Sequence, residues 1–238
     1  MSHMSFLNDP SSAVYARAAG LGYLTIALAG GFSIAFMPNV VFNSGLAPLD
    51  GILQHRGLFL AGIAGDTVVM LAEILVTAML FFMFRPVNPT LSMIAALARF
   101  AMVAVMAAML LFYAGLVVLS DSPVFQGRGD LAALLLAIHD SGVWIWQVFF
   151  TAHLFALGVL VVQSGRYPRL LGWGLALGGL GYLLDSAYAF AFPDVELLGY
   201  TRAALLAVVT LSEISFALWL TFRGPRDERR PLPVGVTG

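Results

Sequence analysis

Six apolar runs dominate this chain, each near or above the ~20 residues a helix needs to cross a bilayer. They cover residues 13–37, 53–84, 91–119, 143–163, 170–192 and 201–222, and the fourth has room to begin earlier, on 131–138. In lipid, every backbone N–H and C=O must be satisfied within its own segment, so runs of this length dictate helices. The expected fold is therefore all-α: a polytopic membrane protein with six transmembrane helices. The chain is 60% hydrophobic and 11% charged, where soluble domains carry about 25% charged residues.

The punctuation supports the same division. Pro38 ends the first run, Arg85-Pro86 the second, Pro193 the fifth and Arg223-Gly224-Pro225 the sixth. Every proline lies outside the runs, which predicts unbroken helices. Residues 39–51 read as a loop lying on the membrane surface. Residues 1–4 resemble a cloning remnant, so His3 is left out of the chemistry, and the first run reads as retained rather than as a cleaved leader. The expected organisation is an N-terminal tail over 1–12, a transmembrane domain over 13–223 and a charged, proline-rich, disordered tail over 224–238. Gly20, Gly22, Gly30 and Gly31 in the first run, and Gly172, Gly174, Gly178, Gly179 and Gly181 in the fifth, mark those helices as central packing elements.

Charge and residue usage exclude several functions. A net charge of −1 gives no basic face for nucleic acid. The chain has no Cys, which removes thiol nucleophiles, thiolate metal sites and disulfides. All basic residues are Arg; without Lys there is no Schiff base, so retinal and pyridoxal cofactors are excluded. Arg17, Arg85, Arg99, Arg166, Arg169, Arg223, Arg226, Arg229 and Arg230 fall on one side of a six-helix topology, against Arg56, Arg128 and Arg202 on the other. That asymmetry places both termini in the cytoplasm.

Ionisable residues interrupt the apolar runs at matching depths. Residues 69–82 (VMLAEILVTAMLFF) and 209–222 (VTLSEISFALWLTF) share Val, Leu, Glu, Ile, Leu and Phe at equivalent places, which aligns Glu73 with Glu213. Three helix pairs, each closing at an Arg and a Pro, suggest a repeat. Counted at ~1.5 Å per residue, Glu73, Glu213 and His153 lie near the midplane and Arg99 just below it, with Asp66 and Asp185 further out. Helical spacing puts His55, Asp66 and Glu73 on one stripe, His139, Trp146 and His153 on another, and Arg202 and Glu213 on a third; Tyr182 neighbours Asp185 at i, i+3. Charged groups in a membrane face a bundle interior or a water-filled cavity. The seams are therefore expected to converge on Glu73, Glu213, His153 and Arg99, extended outward by Asp66, Asp185 and Tyr182.

Four uses of such a cluster differ in chemistry. An ion-pair network would fix helix register and do nothing more. Acid–base work on a small lipophilic molecule would use Glu73, Glu213 and His153 as the catalytic groups, since a desolvated carboxyl without a charged partner keeps its proton for donation. Arg99, Asp66, Asp185, Tyr182, Trp146 and Phe149 would then bind substrate, within a lining drawn from Trp144, Trp146, Phe149, Phe150, Tyr182 and Trp219. Glu73, His153 and Glu213 would also suit a zinc or iron ion, although no HExxH spacing supports one; a haem between His55 and His139 is weaker still. Protonatable midplane acids also serve proton-coupled carriers, which is the alternative to a fixed site. The lipid bilayer is the one partner composition demands, and it leaves an oligomer open.

Residues 16–24 (ARAAGLGYL), Arg85-Pro86-Val87-Asn88, 149–186 (FFTAHLFALGVLVVQSGRYPRLLGWGLALGGLGYLLDS) and Ser212-Glu213 with Leu218-Trp219-Leu220 resemble the uncharacterised bacterial membrane family "domain of unknown function 4386". The resemblance spans about residues 14–223 and implies a six-helix integral protein of a bacterial inner (plasma) membrane. It implies no activity and no site residue.

Overall fold

Local capping signals set where the helices begin and end. Ser12 Oγ accepts the Tyr15 N–H at 3.2 Å and opens α1 (Ala13–Gly30). After a π-helical turn (Gly31–Phe36) come α2 (Met37–Val41) and a short α3 (Pro48–Gln54). His55 joins α3 to α4 (Arg56–Phe84). Asn88 Oδ1 accepts the Leu91 N–H at 2.9 Å and starts α5 (Pro89–Asp121), with Pro89 in the first turn, where a missing N–H is harmless. A 3-10 turn (Pro123–Phe125) leads to α6 (Gly129–Ser164), which ends at Gly165 in the left-handed region, φ 63°. Then follow α7 (Arg169–Phe190) and α8 (Glu196–Phe222). The computed structural model describes residues 9–43 and 45–226, and no strand occurs among them. His3, Arg229, Arg230 and most of the expected C-terminal tail lie outside the described residues.

Six rods are long and apolar enough to cross a membrane: Ala13–Val41, Arg56–Phe84, Pro89–Asp121, Gly129–Ser164, Arg169–Phe190 and Glu196–Phe222. They are apolar on the outside as well as the inside. Leu28, Leu71, Leu111 and Leu211 point away from the protein, each more than 60% exposed, which suits hydrocarbon and not water.

Each rod packs against its neighbours in sequence, and α8 packs back against α1. The result is a closed up-and-down ring whose interior all six rods share. Glu73, His153 and Glu213 come from α4, α6 and α8, alternate members of the ring, as three helix pairs would arrange them. The first and fifth rods, expected as central packing elements, sit in the ring as the other rods do. Their glycines instead let ring neighbours touch backbone to backbone. A Cβ on Gly178 would lie 2.7 Å from the Val209 nitrogen of α8, and one on Gly20 of the first rod would lie 2.6 Å from the Thr221 nitrogen of α8.

Two further expectations change. The first rod does not stop at Pro38 but runs on to Val41. The π turn takes up the proline: the Met37 N–H reaches back to the Phe32 carbonyl, and the wider register accommodates a residue that cannot donate. So one rod is irregular where all were expected to be unbroken. Residues 39–51 are not a simple surface loop either. They lead into α3, whose Ile52 is buried against Met37, Val41, Phe59, Tyr113 and Leu116 and plugs one end of the ring.

Backbone approach at Gly178 predicts that Gly178→Ala destabilises the protein by about 1–3 kcal/mol through overpacking. Gly57→Ala, where a Cβ meets nothing within 4 Å, should be neutral or slightly stabilising. Thermal unfolding of the two variants in detergent measures the difference.

Candidate functional site

Arg99 is the hub of the ring interior and is 1% exposed. Small or flexible neighbours on α5, Ala95, Met102 and Val103, leave it room to lie against three other rods. Its Nε donates to Glu73 Oε2 at 2.5 Å, and its Nη1 donates to the Tyr23 hydroxyl at 2.6 Å. The guanidinium carbon sits 4.7 Å from the Tyr23 ring centre and 5.9 Å from that of Phe150, in cation–π range. Nη1 also lies 3.0 Å from His153 Nε2, while His153 Nδ1 lies 2.9 Å from the Ala95 carbonyl. A carbonyl only accepts, so Nδ1 carries the proton; Nε2 then receives Arg99. This partner set assigns a neutral imidazole locked in one tautomer.

Glu73 is therefore the acid that Arg99 neutralises, and the two acids expected to act alike differ. Glu213 forms no ion pair among the described residues. The Tyr182 hydroxyl approaches its Oε2 at 3.4 Å, and its Oε1 has no hydrogen-bond partner among those residues. Arg99 Nη2 likewise has no hydrogen-bond partner among the described residues.

Both groups border a cavity of about 470 Å³ inside the ring. All six rods line it, through residues that include Tyr23, Glu73, Arg99, Phe150, Tyr182 and Glu213. Trp146, Phe150 and Tyr182 form one aromatic wall, with ring centres 5.3–5.9 Å apart. Ala27, Ile34, Thr210 and Ile214 also line the cavity and are exposed, all on the seam between the first and last rods.

The other expected site residues are distributed differently. His153 is buried behind Arg99 and does not line this cavity. The metal triad of Glu73, His153 and Glu213 does not assemble: Arg99 engages the first two, a guanidinium repels a metal cation, and neither His153 nitrogen has a free lone pair. Among the described residues, no three His, Asp or Glu side chains converge as metal ligands. Phe149 is 39% exposed and turned away, and Phe150 takes its place. Trp144 packs on Phe190, and Trp219 donates to the Gly224 carbonyl. Asp185 pairs with Arg202 and accepts from Gln147 Nε2 at 3.0 Å, tying α6, α7 and α8 together away from the cavity wall. Asp66 lines a second, smaller cavity with Ser33 and His139. His139 stacks on Tyr113, and His55 sits half-buried at a helix junction, off the Asp66–Glu73 stripe.

Sequence reasoning missed Tyr23 and Gln147. The signal for Tyr23 was its place in the GLGYL motif at a depth near that of Arg99; Gln147 was screened by its neighbour Trp146.

The fold and site together define a polytopic helical membrane protein with a charged hub beside an apolar cavity. The family model "Domain of unknown function (DUF4386)" matches residues 18–224, and the chain belongs to that family. An uncharacterised protein of the archaeon Archaeoglobus fulgidus is 29% identical over 162 residues, which is 68% of this chain and 83% of the relative. No solved structure matches.

The unequal partners of the two acids predict unequal costs. Glu73→Gln leaves the buried Arg99 charge uncompensated and should destabilise by about 3–5 kcal/mol. Glu213→Gln breaks no ion pair and should stay within about 1 kcal/mol of wild type. Detergent unfolding titrations of both variants test this, and equal losses would show that the Arg99–Glu73 pair contributes no special stability.

Proposed function

We propose that this protein is an intramembrane fixed-site binder or enzyme that takes a small lipophilic molecule into its ring from the bilayer. The observation that carries the reading is the cavity itself. An ion-pair network needed only for packing has no use for about 470 Å³ of apolar space beside it, nor for an unpaired carboxyl and an unpaired guanidinium nitrogen on its wall. Arg99 Nη2 is placed to donate to a carbonyl or hydroxyl oxygen of a bound molecule. Glu213, with Tyr182 beside it, is placed to exchange a proton with the same molecule. Glu73 and His153 hold Arg99: Glu73 borders the cavity with its carboxylate engaged in the ion pair, and His153 lies behind the guanidinium. In this role they are positioning residues, and Glu213 is the acid–base group. The aromatic wall of Trp146, Phe150 and Tyr182 takes the apolar body of the ligand.

The seam at Ala27, Ile34, Thr210 and Ile214 serves as a lateral portal open to hydrocarbon. The Arg distribution supports cytoplasmic termini, and the resemblance to a bacterial membrane family supports a bacterial inner membrane. Proton-coupled transport remains the second reading, favoured by the irregular turn that the first rod carries at the cavity edge, since carriers build sites at broken helices.

Trp146 on the wall supplies the test. A brominated medium-chain ketone should quench its fluorescence saturably in the detergent-purified protein, and Trp146→Phe should remove that signal. Thr210→Phe at the portal should slow the quenching at least about tenfold, or block it, without loss of stability. Glu213→Gln should weaken binding or turnover while the protein stays folded. Absence of saturable quenching by ketone, alcohol and amine probes alike would sink the fixed-site reading. Glu213-dependent uptake into proteoliposomes would replace it with transport.

A further inference from the structure

The second cavity, about 110 Å³, lies between the π turn, α4, α5 and α6. It has a different character from the first. Asp66 is 9% exposed and Ser33 1% exposed. Asp66 Oδ1 and Ser33 Oγ are both fully covered; the two side chains lie beside each other, yet neither atom completes a hydrogen bond by geometry. No Arg lines the space, and Asp66 takes part in no ion pair among the described residues. The other polar groups facing it are Tyr113 on α5 and His139 with Asp140 on α6. His139 is held against Tyr113, ring centres 3.7 Å apart, and its Nδ1 lies 3.3 Å from Asp140; it carries no permanent charge with which to balance Asp66.

A carboxylate inside a membrane-spanning rod requires compensation, and here the chain supplies no fixed cation. Two oxygens without completed hydrogen bonds, beside a space large enough for several waters, offer ligands to a positive charge. The irregular turn adds to it. In the π register the donor to the Ser33 carbonyl would be the N–H of residue 38, which is a proline and has none. Freed carbonyls of interrupted membrane helices coordinate small cations. One carboxylate and one hydroxyl form a hard, all-oxygen set with a single negative charge. That charge balances a monovalent ion, whereas calcium sites gather six to eight oxygens, several of them carboxylate.

We propose that this cavity is a sodium site, in which Asp66 Oδ1 and Ser33 Oγ bind the ion and water fills its remaining coordination. Bound sodium would brace the π turn against α4 and so hold the irregular part of the first rod in place. The two cavities share a wall of Ile34, Met106 and Trp146 but have different polar groups, and the proposal stands whether or not the larger one binds a lipophilic ligand.

The test uses the full chain purified in detergent, with NaCl exchanged for KCl or choline chloride at constant ionic strength. Equilibrium binding of radiolabelled Na+ and the thermal midpoint are read together. Wild type should bind Na+ saturably, and its midpoint should rise with the logarithm of Na+ concentration. Ser33→Ala should weaken binding by roughly tenfold, the loss of one ligand oxygen. Asp66→Asn should abolish both responses, and Asp121→Asn, which removes an acid from a surface ion pair with Arg56, should leave both intact. The proposal is overturned if wild type binds no Na+, or if Na+, K+ and choline are equivalent. It is also overturned if Asp66→Asn still binds, or if stability follows pH through Asp66 with no sodium effect, which would mean a proton occupies the site. Should Asp66→Asn not fold, radiolabel binding by Ser33→Ala decides the matter.

Discussion

A permanently charged guanidinium at the centre of a membrane domain has to be answered by everything around it. Arg99 keeps its charge in any surroundings, and removing such a charge from water costs several kcal/mol unless its donors are satisfied. Glu73 supplies the opposite charge, Tyr23 and His153 accept hydrogen bonds, and the faces of Tyr23 and Phe150 cover the plane. These groups come from the first rod, α4 and α6, so satisfying one side chain on α5 fixes the rotation of three other helices. His153, the residue with the most familiar catalytic chemistry, is used up in this task. Its tautomer is set by the Ala95 carbonyl and its lone pair by Arg99.

Because a ring of six helices cannot close tightly around its own axis with side chains of this size, an interior space remains. Glycine contacts draw α6, α7 and α8 together on one side, and α8 returns to α1 on the other. The cavity is what is left between them. Its wall combines a neutralised pair with an unpaired acid, so the same cluster is structural at Glu73 and chemically available at Glu213. The two acids occupy matching places in similar helices and still have different roles, decided by which one the guanidinium reaches.

The irregular first rod gives the molecule a second polar region. Pro38 removes one backbone donor, the π turn absorbs the resulting misfit, and Ser33 is carried inward to a small cavity beside Asp66 that no Arg lines. The main cavity balances its charges internally and offers apolar volume; the smaller one offers oxygens and lacks a counter-charge. A single proline thus separates two chemistries within one ring.

The amino-acid sequence by itself determined the number of spans, the all-helical class and the family, because lipid leaves a long apolar run no other way to satisfy its backbone; it fixed the span limits to within several residues except at the fourth, which begins at Gly129 and not at 143. It also determined that Glu73, Arg99 and Glu213 would lie at similar depth, since rise per residue is nearly constant. Tertiary structure alone decided which acid Arg99 pairs with, because ring order and helix rotation set that distance and neither is written in spacing. It decided Phe150 over Phe149 for the same reason: adjacent positions differ by 100° of rotation, and both fit the Trp146–His153 stripe. It parted Asp66 and Asp185 from the cluster that their stripes had suggested, since sharing a face does not mean sharing a cavity. And it turned Pro38 from a terminator into an internal residue, because a π turn can accept a missing donor where an α-helix cannot.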